Sequence, residues 1–244
     1  MSGIIGEGEI GRFFEAAIAV PSQSADGHWQ IELDGRVVKT PLGHPFVVSS
    51  SALAAGIAEE WNAQGDKIVP ATMPLASLSN AAIDKINPES AHIIEQLVGY
   101  ARSDLLCYWA EAPADLVQRQ RDEWQPVLEW SETALGARFI STTGIIPVEQ
   151  PAPALDTVAQ ILGEASSFHL TAVVDLAGRM NSVLLALAVW KRHLTAEKAF
   201  NSAYLDDIFQ EEQWGADEEA VDRRSNIRNE ISHAAEFLRL LDEG

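Results

Sequence analysis

The chain has 244 residues, with 36 Asp and Glu against 17 Lys and Arg, and so a formal net charge of −19. A surface this acidic repels polyanions, which excludes nucleic acid and anionic membrane as partners unless the few cations are tightly clustered. Hydrophobic residues make up 47%, the composition of a folded protein rather than an acidic disordered tail, and the length suits one large domain or two modest ones.

The first residues, MSGIIGEGEI, lack the cationic region and apolar core of a signal peptide and the arginines of a mitochondrial presequence. That start fits a bacterial cytoplasmic protein, or one whose presequence has been removed. Gly6-Glu7-Gly8-Glu9-Ile10-Gly11 matches the dinucleotide glycine pattern, but no strand has room before it and no parallel βαβ unit follows. Two glutamates would also face the pyrophosphate, so a terminal arm is the better reading. Trp29, Ile31 and Leu33 then alternate with Gln30, Glu32 and Asp34, the period of a half-buried strand. Asp34-Gly35 supplies the positive φ angles of a tight hairpin, and Arg36 to Thr40 returns as the second strand. Pro41 stops it, Gly43 turns, and Phe46 to Val48 forms a third strand. Phe13 and Phe14 are expected against this sheet.

From Ser50 the pattern is helical, with Ser49 to Ser51 offering capping hydroxyls. Leu53, Ile57, Glu60-Trp61 and Gln64 precede Gly65, an expected helix stop, and Pro70 to Pro74 reads as a connector. This divides the chain into a β-rich domain with one helix, residues 1–72, and a helical domain, residues 73–244. Asn87-Pro88 reads as a cap and first-turn proline opening a helix to about Ala101. Leu116, Val117, Gln120, Trp124, Val127, Leu128 and Ser131 recur at helical spacing, with a kink or break expected at Pro126. Leu170 to Trp190 is the most apolar stretch, but Asp175, Arg179 and Asn181 leave its longest clean run at about half of the ~18 residues of a membrane span, so it reads as a buried core helix. Glu218 to Leu241 closes the chain with one apolar stripe, Ala220, Ile227, Ile231, Ala234, Leu238 and Leu241, too short to argue for a coiled coil.

No catalytic constellation is visible. The single cysteine, Cys107, sits in an apolar stretch and reads as an inert buried thiol in a chain that can form no internal disulfide. His28, His44, His92, His169, His193 and His233 are scattered singly, without metal-ligand spacing. The carboxylate pairs Glu59-Glu60, Asp206-Asp207 and Glu211-Glu212 point about 100° apart on a helix and do not converge by themselves. The acidic run from Asp206 to Asp222 carries Phe209 and Trp214 among its charges. Periodicity alone favours a solvated face with both aromatics in the core. The sharper reading is a docking surface, where charge steers a basic partner and exposed aromatics supply contact area.

Several separated blocks in order point to a family: Arg12-Phe13-Phe14; Trp29 through Asp34-Gly35-Arg36 to Lys39-Thr40-Pro41; Glu60-Trp61 with Ala63-Gln64; Met73-Pro74-Leu75; Asp104 to Tyr108; Gln120 with Trp124, Pro126 and Trp130; and Phe209-Gln210 with Trp214-Gly215. On these blocks the sequence resembles the assembly chaperones for the α subunit of the catalytic sector of F-type ATP synthase. The resemblance implies an α+β protein, a small antiparallel β domain followed by a larger helical one, that uses no ATP, cofactor or metal. It implies that the chain holds the free α subunit against aggregation until the β subunit replaces it. Its partner would be that subunit; the charge argues against nucleic acid, the apolar runs are too short for membrane insertion, and with no long unpaired heptad stripe the chain is expected to be a monomer.

The family keeps an acidic pair, then aromatic-glutamine, then tryptophan-glycine. Carried onto this chain, the resemblance points to Asp206, Asp207, Phe209, Gln210 and Trp214 for partner binding and to Gln64 and Gly215 as structural parts of its motifs; Trp61, in a family block but on an amphipathic helix near the domain junction, is expected to be structural because helix-borne tryptophans are highly buried on average. Asp206, Asp207 and Gln210 are expected to face the client, while Trp214 and Gly215 fix the helix end that presents them. Two alternatives stay open: an enzyme in which Glu60 converges with Asp206 or Asp207, and a scaffold that offers the same surface to another basic partner.

Overall fold

A computed structural model describes residues 10–23, 25–144, 146–215 and 217–243. The glycine-rich motif at Gly6 to Gly11 lies almost wholly outside the described residues. Strand β1 (Ile10–Gly11) pairs antiparallel with β6 (Lys67–Ile68). The main sheet is built on β3 (Trp29–Leu33), flanked by β2 (Ala17–Pro21) on one side and by β4 (Arg36–Val37) and β5 (Val47–Val48) on the other, all antiparallel. The β3–β4 turn is the expected one, since Asp34 and Gly35 both take positive φ, 49° and 78°. Regular pairing stops at Val37, earlier than expected, and the return continues only as the amide of Val38 on the carbonyl of Ile31 and a bridge from Lys39 to Pro45.

Helix α1 (Ser51–Asn62) lays Leu53, Ala54, Ile57 and Ala58 on this sheet. Full burial of Leu53 or Ile57 contributes about 1.5–3 kcal/mol each. Ser50 caps the helix by accepting from the amide of Leu53 at 3.1 Å. At the other end Asn62 clamps both backbone groups of Ala17 at 2.8 Å, tying the last turn to β2. Phe14 is buried and packs edge-on against Trp61, whereas Phe13, expected beside it, is 67% exposed.

Helix α2 (Pro74–Ala81) starts with a proline at its first turn, and its free amides at Leu75 and Ala76 donate to the Glu60 carboxylate at 2.7 and 2.9 Å. A π turn at Ala82–Ile86 then carries the chain without interruption into α3 (Asn87–Ala101). Asn87 is therefore helical and does not cap: Pro88 removes a donor and crowds the turn before it, and the wider π turn absorbs both, with the amide of Asn87 reaching the carbonyl of Ala82.

A 3₁₀ turn at Leu105–Cys107, capped by Asp104, leads to β7 (Tyr108–Trp109), which pairs parallel with β8 (Thr142–Thr143). Between them α4 (Ala114–Leu135) remains one helix through Pro126 and ends at Gly136 with φ 75°. Next come α5 (Ala152–Gly163), α6 (Ser167–Met180) and α7 (Val183–Trp190). The expected single core helix over Leu170 to Trp190 is thus two. Asn181 takes φ 50°, a conformation asparagine tolerates, and Ser182 caps α7 through the amide of Leu185. The series closes with α8 (Ala196–Ala203), α9 (Leu205–Trp214) and α10 (Glu218–Asp242). None of the described helices is long and apolar enough to cross a membrane.

The chain divides into two compact units: Met1–Glu89 with Ser167–Thr171 and Glu236–Gly244, and Ser90–Ser166 with Ala172–Ala235. The first runs past residue 72 because Glu60 caps α2, and because Gly56 on α1 leaves room for Leu75 and Leu240, against which a Cβ would sit at 2.9 and 3.1 Å. Within the same unit Ser50 donates to the Leu240 carbonyl, Phe168 stacks on Phe237 and His169 meets Asp242 at 2.9 Å. The second unit has its core in α7, buried throughout from Val183 to Val189, and in Trp124, whose indole donates to the Ser202 carbonyl at 2.9 Å. Asp104 is fully buried there and accepts from Ser182 Oγ at 2.7 Å and from the amides of Leu106 and Leu184. Burial raises its pKa to about 6 against the pull of those donors. Cys107 is also fully buried, its thiol pushed far up by burial and by the charge of Asp104.

Candidate functional site

Two faces of α9 separate the residues assigned to partner binding. Residues 205, 206 and 209 lie on the inner face, and 207, 210 and 214 recur on the outer one, as helical spacing requires. Leu205 and Phe209 are buried against Leu116 of α4. Phe209 is only 5% exposed, with the Arg119 guanidinium 5.1 Å over its ring, so it supports the surface from beneath and does not form part of it. Asp206 is half-buried and accepts from Gln120 Nε2 at 2.8 Å, while Gln120 Oε1 accepts from the amide of Ala110 at 2.7 Å. Burial raises the Asp206 pKa, opposed by the Gln120 bond and reinforced by the neighbouring charge of Asp207.

The outer face is exposed. Asp207, Gln210 and Trp214 line a cleft of about 400 Å³ with Tyr204, Glu211 and the first three turns of α10. Trp214 is 78% exposed, the most open of the large apolar side chains among the described residues. Gly215 ends α9 at φ 91°, with its amide on the carbonyl of Glu211 at 2.8 Å. No neighbour stands within 4 Å of where its Cβ would be, so the glycine is there for its backbone angle and not for space. Tyr204 closes one end by donating to the Arg179 carbonyl at 2.7 Å. The apolar stripe of α10 is buried at Ile231, Ala234, Phe237, Leu238 and Leu241, but its first part, Ala220 and Ile227, lines the cleft instead.

The acidic run is less uniform in space than in sequence. Glu212 pairs with Arg119 at 2.7 Å, and Glu211 pairs with Arg224 of α10. Asp207 forms no salt bridge among the described residues, and its charge is the open one on the α9 side of the cleft. Periodicity could not assign these arginine partners, which come from other helices, α4 and α10.

The residues assigned a structural role lie in the first unit. Gln64 is buried, holds Thr72 Oγ1 and the Glu60 carbonyl through Nε2, and accepts from the amide of Val69 at 2.7 Å. Glu60 is consumed as the cap of α2, with burial raising its pKa against the two amides it accepts from. Trp61 packs on Phe14 but leaves its indole Nε1 buried without a hydrogen-bond partner. It lines a second, larger pocket of about 620 Å³ that the sequence does not announce, shared with Phe13, Met73 and Asn80.

A model of the ATP12 chaperone protein family matches residues 11–132, half of the chain. The mitochondrial atp12 protein of Schizosaccharomyces pombe is 25% identical over 231 residues, covering 89% of this chain and 79% of that relative. The crystal structure of Atp12 from Paracoccus denitrificans shares the fold with a TM-score of 0.90 at 34% identity, over 95% of this chain and 98% of that one. The Atu1473 protein of Agrobacterium tumefaciens gives a TM-score of 0.88 at 37% identity, over 96% of this chain and 85% of its own.

Proposed function

This chain belongs to the ATP12 chaperone family, and from that premise we propose that it serves F-type ATP synthase assembly by holding the free α subunit of the catalytic sector. A subunit made for an alternating ring exposes apolar interface when alone and aggregates. A folded binder that covers that interface stabilises the monomer by mass action and leaves when a tighter partner arrives. Such a cycle needs no nucleotide and no covalent step, and it takes place where the ring is assembled, in a bacterium the cytoplasm. The chain acts in it as a monomer.

The observation that carries this reading is the outer face of α9. Asp207 without a salt bridge, Gln210, and a largely exposed Trp214 stand together on one short helix, fixed at its end by Gly215. Charge steers a basic patch of the client, and the indole supplies the desolvated contact. Asp206 and Phe209 position that face from below, through Gln120 and Leu116.

The test is to dilute the purified α subunit from denaturant into this protein without ATP and to follow light scattering, then size exclusion. A discrete complex that dissolves on addition of the β subunit is the expected result. Asp207→Lys should weaken that complex by about tenfold while circular dichroism and melting stay unchanged. Unhindered aggregation of the α subunit at low and moderate salt would sink the reading.

A further inference from the structure

The pocket of the first unit combines three features that do not belong to a plain packing defect. Its walls are apolar, from Phe13, Phe14, Trp61 and Met73, and Phe13 is 67% exposed beside it. Two of its lining residues carry buried polar atoms with no partner, Trp61 Nε1, a donor, and Asn80 Oδ1, an acceptor. Buried polar groups are nearly always satisfied, so an orphaned donor and an orphaned acceptor on two residues of one wall mark a wall that a bound group offering both would complete once the two side chains turn toward it. A peptide bond does so, with its C=O and its N–H. Ser79 Oγ, the other such atom, is next in sequence to Asn80 but does not line the cavity.

The rim has the opposite charge to the rest of the molecule. Arg36 and Lys39 line it and are exposed, and neither forms a salt bridge among the described residues. The lining also holds Asp34, which accepts from the amides of Glu15 and Ala16 at 3.0 Å, and those amides hold its carboxyl below the usual range. In a chain of net charge −19, an apolar cavity edged by two cations without a salt bridge among the described residues, against one carboxylate already held by backbone amides, selects an occupant that is apolar in its body and acidic at its end. We propose that this pocket binds an extended segment of the client polypeptide: a large apolar side chain among Phe14, Trp61 and Met73, its peptide group on Trp61 Nε1 and Asn80 Oδ1, and an acidic residue held by Arg36 and Lys39. The proposal rests on the chaperone reading for the identity of the client, and it adds a second contact surface, on a different unit from the α9 cleft.

The experiment uses fluorescein-labelled short peptides tiled across the ATP synthase α subunit, titrated with the full chain and read by anisotropy. Peptides with a large apolar residue beside Asp or Glu should bind, and their amide or lysine versions should lose about tenfold. Ser77→Trp, which fills the mouth from an exposed position on α2, and Arg36→Glu with Lys39→Glu, which reverses the rim, should abolish binding with unchanged melting. Asn80→Ala should weaken it without loss of stability, since no bond made by that oxygen is lost. Asp207→Lys should leave peptide binding intact. If no tiled peptide binds while the intact α subunit still forms a complex sensitive to Asp207→Lys, the pocket proposal is overturned and the chaperone reading stands. If acidic apolar peptides of unrelated sequence bind and the α subunit does not, the pocket stands and the client is wrong. Binding that survives both Ser77→Trp and the rim reversal also overturns the pocket.

Discussion

The α9 cleft and the pocket beside Trp61 differ in how each settles its own polar groups. Along α9 most acidic groups are answered by neighbours: Glu211 by Arg224, Glu212 by Arg119, Asp206 by Gln120. What remains open on that helix is the Asp207 carboxylate and one indole face. Around the pocket the backbone and side-chain hydrogen bonds are complete at Gln64, Glu60 and Asn62, yet one polar atom each on Trp61 and Asn80, two residues of its wall, is left over. The first surface suits a partner that arrives by long-range attraction and exchanges readily; the second suits one that enters and desolvates.

The largest effect that would break this contrast is at Phe209. Phe209→Ala should cost about 3–5 kcal/mol, because it empties the contact with Leu116 and Leu205, and lower melting and client binding together. A stable Phe209→Ala that loses only the client would make that ring part of the surface after all.

Acid should stabilise the unit that carries the cleft. The Asp104 carboxyl has a pKa of about 6 in the fold against 3.8 as its ordinary value. A raised acid penalises the fold above both values, and the penalty is relieved as pH falls from neutral through 6 toward 4. Full relief amounts to about 3 kcal/mol. Asp206, also raised by burial, adds in the same direction, and His193, lowered by burial, opposes it. The melting temperature should therefore rise between pH 7 and 5, and in Asp104→Asn, less stable throughout, the rise should shrink or disappear.

Smaller effects follow at the edges. The client complex should weaken by about tenfold in Asp207→Lys and fall with salt, whereas the apolar part of pocket binding should persist. Gly215→Ala should cost about 1 kcal/mol, since alanine is strained at φ 91°, and should loosen the Trp214 end of α9. Hydrogen exchange at the last turn of α9 would register it.

Local signals carried much of this structure and long-range ones did not. The Asp34-Gly35 hairpin, the Ser50 cap and the core stripe of α4 are each written within a few residues, and each is present. Asn87-Pro88 carried the same kind of signal and misled, because a π turn lets a helix absorb a proline that ordinary helical spacing rejects. The acidic motif placed α9 on the surface, but which side of α9 faces inward depends on Leu116 and on Gln120, 86 residues before Asp206. The pocket was illegible for the same reason: Phe14, Trp61 and Asn80 look like separate loop and helix residues until the fold brings them to one wall.

The buried thiol of Cys107 has a practical consequence. As the chain's single cysteine, shielded from solvent and held protonated, it will not take up maleimide under native conditions. A new cysteine at Gln210 or Ser77 would then be the one reactive site, so dyes can be placed on either surface of the otherwise natural chain and the order in which a client engages them read by energy transfer.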